Sequence, residues 1–200
     1  MFAKFPLFQS HIDLAHKYWQ QLVLSGDVVI DATCGNGHDA LVLAKLALTS
    51  SSGKLFAFDL QQAALDNSTK LLKENLTQDQ NTRIQLIQGC HSKFPEGILP
   101  ETVKLIVYNL GYLPGGDKSK TTLVSTTLES IQQALKLLVP GGAISLTCYP
   151  GHHEGKIEEA AIIELMASLD AKLWSCCHHR WINRRQSPNL VIIQKGIPIH

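Results

Sequence analysis

The polar residues of this chain that could do chemistry sit where apolar runs end. The clearest case is Val28-Val29-Ile30-Asp31-Ala32-Thr33-Cys34-Gly35-Asn36-Gly37-His38-Asp39-Ala40. An apolar run ends in an acid, and a glycine turn then opens into the helix pattern Leu41, Val42, Ala44, Leu46. Strand, turn and helix in that order build a nucleotide-binding unit. Gly35-x-Gly37-x-x-Ala40 also satisfies a dinucleotide pattern, so the glycines alone do not choose the ligand. The acid does. A dinucleotide would place its pyrophosphate on this helix N-terminus, where added negative charge is unwelcome. S-adenosylmethionine instead brings an ammonium and a sulfonium, and Asp31 suits that positive end.

Other strand ends extend the set. Asp59 lies 22 residues beyond Gly37, close to the roughly 20-residue offset of an acid that binds ribose hydroxyls. Thr33, Gly35 and Gly37 of the turn are candidate cofactor contacts, and Asn36 and Asp39 can reach the methionine moiety or the helix-entry amides. Gln61 or Gln62 could line the adenosine side, and Cys90 and His91 follow a third strand where the adenine edge belongs. Plainer roles compete with some of these. Asp39 also suits a helix N-terminus electrostatically. His91 could be an ordinary loop histidine and Cys90 a small buried filler. Tyr149 ends strand five.

Asn109-Leu110-Gly111-Tyr112 carries the reaction. In many amine-directed methyltransferases strand four ends in an acid or amide, two small or proline residues and an aromatic; here Leu-Gly stands where Pro-Pro is usual. The amide oxygen would accept a hydrogen bond from the target nitrogen, and the aromatic would pack on the substrate. Asn109 then serves both cofactor and catalysis, with Tyr112 and Asp117 beside it. In-line displacement mainly needs a neutral nitrogen aligned with the methyl and water excluded. A protonated amine must lose its proton first, and Asp117, Tyr112, His152 and His153 are candidates to help.

The elements that must position these residues alternate along the chain. Residues 10–24 read as an amphipathic helix. Strands are expected at 54–59, 84–88, 103–109, 143–149, 171–176 and 189–194, besides the one ending at Asp31. Helices are expected after the glycine turn, at 63–75, from about 123 to 138 with a stop at Pro140-Gly141-Gly142, and at 155–169. This is an α/β chain. It predicts a Rossmann-like, seven-stranded, mostly parallel sheet with helices on both faces and an antiparallel edge strand. One domain over residues 1–200 is expected.

The formal net charge of +1 argues against a globally basic nucleic-acid binder but leaves a local patch open. That patch is His178-His179-Arg180-Trp181-Ile182-Asn183-Arg184-Arg185, where cations and an indole could meet phosphate and base. No run suits a membrane span or a secretory leader. The five cysteines do not read as a disulfide framework, which fits a cytoplasmic protein. His152-His153 and Cys176-Cys177-His178-His179 lack the spacing of structural zinc ligands, so no metal is expected.

Four segments together resemble the YtqB/MnmM family, a group described as rRNA methylases. They are 29–39, Tyr108-Asn109-Leu110-Gly111-Tyr112-Leu113-Pro114-Gly115-Gly116-Asp117-Lys118, then Tyr149-Pro150-Gly151-His152-His153-Glu154-Gly155-Lys156, and Trp181-Ile182-Asn183 leading to Pro188. The resemblance implies a class I methyltransferase fold and a homodimer. It implies methyl transfer from S-adenosylmethionine to the primary amine of 5-aminomethyl-2-thiouridine, the wobble base of certain tRNAs. The anticodon loop would then lie over the carboxyl-end face with the base turned into the pocket, which is inexpensive in a single-stranded loop. Tyr112, Lys118, His152, Asn183, Arg184 and Arg185 would meet this substrate, with Lys120 as a further phosphate contact. The chain departs from the family at Pro188-Asn189, usually Pro-Pro, and at Arg184-Arg185, commonly uncharged amides. Alternatives are methylation of rRNA or of a small-molecule amine, an NAD-binding oxidoreductase, and a non-catalytic cofactor-binding module.

Overall fold

A computed structural model describes residues 10–111, 123–184 and 186–198. The chain opens with α1 (His11–Leu22), started by Ser10, whose hydroxyl accepts the Asp13 N–H at 3.1 Å. Ala15 and Trp19, one turn apart, bury the inner stripe of this helix. Then come β1 (Val28–Asp31), α2 (His38–Ala47), β2 (Lys54–Asp59), α3 (Gln62–Asn75), α4 (Gln78–Thr82) and β3 (Ile84–Gln88). The second half holds β4 (Val103–Asn109), α5 (Val124–Leu137), β5 (Leu138–Cys148), α6 (His153–Ala167), β6 (Trp174–His179) and β7 (Asn189–Lys195).

The seven strands form one sheet in the order β3-β2-β1-β4-β5-β7-β6. The first five are parallel, and β7 runs antiparallel to both β5 and β6. The expected antiparallel pairing at the edge is present: β6 is the edge, and β7, one place inside it, is the reversed strand. Alternation along the strands feeds two cores. Val29, Leu55, Ala57, Leu105 and Val107 face α1, α2 and α3, while Ile30, Phe58, Ile106, Tyr108 and Ile144 face α5 and α6. Burial on both sides explains why β1 and β4 read as continuous apolar runs. Strand order reverses between β1 and β4, so a crevice opens beyond their carboxyl ends.

Three local expectations change. Pro140-Gly141-Gly142 is not a turn between α5 and its strand. It lies inside β5, where pairing with β4 jumps from Val103↔Leu138 to Leu105↔Ala143. Gly141 takes φ +74° in this bulge, a conformation that glycine tolerates. β6 starts three residues later than the sequence suggests. Asp170 holds the preceding turn, its carboxylate accepting the Lys172 N–H and its carbonyl the N–H groups of Leu173 and Trp174. Helix α4 is an addition. Its signal is the capping box Thr77-x-x-Gln80, in which both reciprocal hydrogen bonds form.

Candidate active site at the carboxyl ends of the strands

The tips of β1 and β2 are tied together. The Gly35 N–H donates to Asp59 Oδ2 at 2.8 Å, and the Gln61 N–H donates to Asp59 Oδ1 at 2.8 Å. One carboxylate thus fixes both the glycine turn and the entry to α3, leaving lone pairs directed outward for hydroxyl donors. The Ser68 hydroxyl donates to the Gly35 carbonyl at 2.8 Å. Gly37 sits at φ +82°, and a Cβ there would meet Ser68 Cα and Cβ at 2.9 Å. Both observations require glycine at this position.

A cleft of about 1270 Å³ opens above the strand tips. Thr33, Gly35, Asn36, Asp39, Asp59, Gln61, Cys90, His91, Asn109 and His152 of the sequence-derived set line it, as does Tyr149. Asp31 does not. It is fully buried beneath the turn, with the Thr33 N–H donating to its Oδ1 at 3.2 Å and its Oδ2 without a partner. Burial, and then the neighbouring Asp39 and Asp59 carboxylates, push its pKa well above the usual carboxylate range. Gly37 also stands behind the wall and caps α2. Asn183 and Arg184 lie outside the cleft; the Arg184 guanidinium carbon is 4.7 Å from the Trp181 ring centroid. Tyr112, Asp117, Lys118, Lys120 and Arg185 fall outside the described residues.

Asn109 ends β4 beside the turn. Its backbone N–H donates to Thr33 Oγ1 at 2.6 Å, and its side-chain Nδ2 donates to Asp39 Oδ2. A carboxylate only accepts, so Asp39 decides which way the amide points. The carbonyl oxygen Oδ1 is thereby left as the acceptor of this side chain. The other oxygen of Asp39 accepts from His16 Nε2 at 2.7 Å. His16 and Ile12 reach the cleft from α1.

His91 is buried, and burial holds its imidazole down to a pKa of about 4. The ring is therefore neutral at pH 7. Its carbonyl accepts the Ser130 hydroxyl at 2.7 Å, and Ser130 Oγ also meets the Tyr108 hydroxyl at 2.7 Å. His152 caps α6, its Nδ1 accepting the Gly155 N–H at 3.1 Å. The same Nδ1 lies 3.4 Å from Glu154 Oε2.

The sequence reading missed His16, Ile12, Leu123, Thr126 and Gln186, all of which line the cleft. Their signals were weak. Ile12 and His16 are spaced i, i+4 on a helix whose apolar pattern accounts for itself. Leu123 and Thr126 mark only a helix start.

The acids also test the cofactor. Asp31, Asp39 and Asp59 stand close enough for the latter two to raise the first. The Asp39 and Asp59 carboxylates, both at the cleft wall, suit a ligand with a positive end and free ribose hydroxyls, and repel a pyrophosphate. Strand order, the crevice and this charge define a class I, S-adenosylmethionine-dependent methyltransferase.

Comparison with known proteins places it further. A family profile described as "Putative rRNA methylase" matches residues 55–195. A protein of Arabidopsis thaliana named tRNA (mnm(5)s(2)U34)-methyltransferase, chloroplastic, is 41% identical over 189 residues, covering 92% of this chain and 68% of its own. The crystal structure of a "putative rRNA-methylase" from Clostridium thermocellum matches with TM-score 0.86 and 35% identity, over 94% of this chain and 98% of that one. That of a "putative methyltransferase" from Streptococcus mutans in complex with SAH matches with TM-score 0.81 and 30% identity, over 94% and 99%. The chain belongs to this rRNA methylase family.

Proposed function

We propose that the chain transfers the methyl group of S-adenosylmethionine to the primary amine of 5-aminomethyl-2-thiouridine at the wobble position of tRNA, giving the 5-methylaminomethyl form. The observation that carries this reading is the Asn109 amide, turned by Asp39 so that its carbonyl oxygen is the available acceptor. An acceptor at the tip of β4 suits a nitrogen that still bears hydrogens. The name of the Arabidopsis relative supplies the nucleoside.

When bound, S-adenosylmethionine supplies an electrophilic methyl on a sulfonium. The chain then has three tasks. Asp59, Gln61 and the glycine turn hold the nucleoside half, with Cys90 and His91 beside the base. Asp39 and Asn36, at the cleft wall, favour the positive end electrostatically or by hydrogen bonding. Asn109 Oδ1 accepts an N–H of the incoming amine and so aims its lone pair. A primary aliphatic amine is mostly protonated at neutral pH, so a proton must leave before transfer. A carboxamide cannot take it. Asp117 and Tyr112, in the segment after Gly111, are candidates to take it, as is His152, which lines the cleft.

Arg184 stacked on Trp181, with Asn183, Arg185, Lys118 and Lys120, forms the proposed RNA contact. Arg184 and Arg185 stand where uncharged amides are common, and they would add phosphate affinity. A homodimer working in the cytoplasm accompanies this reading, supported by the family resemblance and by five unpaired cysteines. The test is incubation with methyl-labelled S-adenosylmethionine and tRNA rich in the aminomethyl nucleoside. Labelled tRNA supports the reading. Label in rRNA or in a small amine, with tRNA unlabelled, would replace it, and cofactor binding without any transfer would make the chain a binding module.

A further inference from the structure

Helix α1 precedes the nucleotide-binding unit in sequence, yet it delivers one polar side chain to the reaction centre. His16 Nε2 lies 2.7 Å from Asp39 Oδ1, and the second oxygen of Asp39 holds Asn109 Nδ2. All three residues line the same cleft. The helix is anchored by Ala15 and Trp19, both buried, and the His16 ring packs 4.7 Å from the Trp19 ring. The histidine is therefore held from behind.

We propose that His16 is a positioning residue for methyl transfer: by donating to Asp39 it fixes the carboxylate that sets the orientation of the Asn109 amide. This rests on the proposed role of Asn109. The physical need is specific. An unconstrained carboxylate beside Asn109 can rotate about its Cβ–Cγ bond, and the amide can follow or turn over. With Asp39 Oδ1 tied to α1, only Oδ2 is left for the amide, and Nδ2 is the one group that can donate to it. His16 does not touch the acceptor nitrogen in this scheme and takes no proton from it. Its contribution is a donated N–H, which both the neutral Nε2–H tautomer and the protonated ring provide.

That distinction makes the proposal testable with His16→Ala and His16→Gln. Glutamine carries an N–H donor at a similar reach and cannot act as a base. Thermal unfolding of both variants establishes that they fold. His16→Ala is expected to lower kcat roughly 10- to 100-fold, the scale of a mispositioned reacting group, with the Kd for S-adenosylmethionine within about threefold of the parent. His16→Gln is expected to restore most of that loss. His16→Ala added to Asn109→Ala is expected to cost little beyond Asn109→Ala alone, because the histidine acts through the amide.

A readout independent of turnover is the side-chain amide of Asn109 in protein labelled with 15N-asparagine. Its signals are expected to agree in the parent and His16→Gln, and to move in His16→Ala. An inactive His16→Gln, full additivity in the double variant, or an unmoved Asn109 amide would overturn the proposal. If the parent fails to methylate the aminomethyl tRNA, the proposed function fails. The amide signals still decide whether His16 sets Asn109. If the parent methylates and glutamine does not rescue, only the role of His16 fails.

Discussion

At the scale of single residues, the site rests on two carboxylates that bind backbone or amide hydrogens and a third that binds almost nothing. Asp59 and Asp39 spend their oxygens on Gly35, Gln61, Asn109 and His16. Their removal should act on geometry. Asn109→Ala should lower kcat on the order of a hundredfold while leaving cofactor affinity nearly intact, measured by single-turnover transfer and by calorimetry. Affinity falling in step with rate would contradict the role given to the amide. Asp31 is the opposite case. Its folded-state pKa is raised above its ordinary value of 3.8, so the folded state holds the proton more tightly. The stability this confers is complete below 3.8 and is lost as pH rises through the raised folded value. Asp31→Asn should therefore unfold at a higher temperature than the parent at neutral pH, and the gap should close in acid. A gap independent of pH would mean that Asp31 keeps its charge when buried. The acid at the tip of β1 was legible in the sequence, because a strand followed by a glycine turn needs no partner to be recognised. Its burial was not, since that depends on Thr33, Asp39 and Asp59 closing over it.

At the scale of elements, period and punctuation located nearly every strand and helix. They failed where side chains override the pattern. Asp170 captures three extra residues into a turn and delays β6. Pro140-Gly141-Gly142 reads as a break, yet a bulge lets β5 absorb it because neighbouring strands on both sides supply pairing. Helix α4 is only five residues long, too short for a periodic signal. The turn between β1 and α2 makes the sharpest prediction at this scale. In Gly37→Ala, a methyl would enter Ser68 backbone at 2.9 Å on a left-handed residue. The fold should lose about 2 kcal/mol or more by denaturant unfolding. Cofactor affinity should fall with it, since the turn and Asp59 move as one. A neutral substitution would show that the contact between the turn and α3 is loose.

At the scale of the whole molecule, one sheet carries a cofactor crevice where its strand order reverses, and a basic, aromatic tail leads into the last strand. Among the described residues no helix is long and apolar enough to cross a membrane. The fold class and the cleft-lining residues at the strand ends could be read in the chain, because each follows an apolar run that marks its strand. The contribution of α1 could not. His16 is 23 residues from Asp39, and nothing in local spacing links them. The proposed RNA contact belongs to this scale as well. Arg184→Glu should weaken tRNA binding and flatten its salt dependence, as expected when a phosphate contact is lost. Unchanged affinity at low salt would remove the tail from the interface.

The most direct test of methyl transfer to the wobble amine is nucleoside mass analysis of tRNA after reaction. The tRNA should come from cells that make the aminomethyl precursor but lack this enzyme. The 5-aminomethyl-2-thiouridine peak is expected to shrink as 5-methylaminomethyl-2-thiouridine grows, only when S-adenosylmethionine is present. Methyl groups appearing on any other nucleoside, with the wobble position untouched, would contradict transfer to that amine.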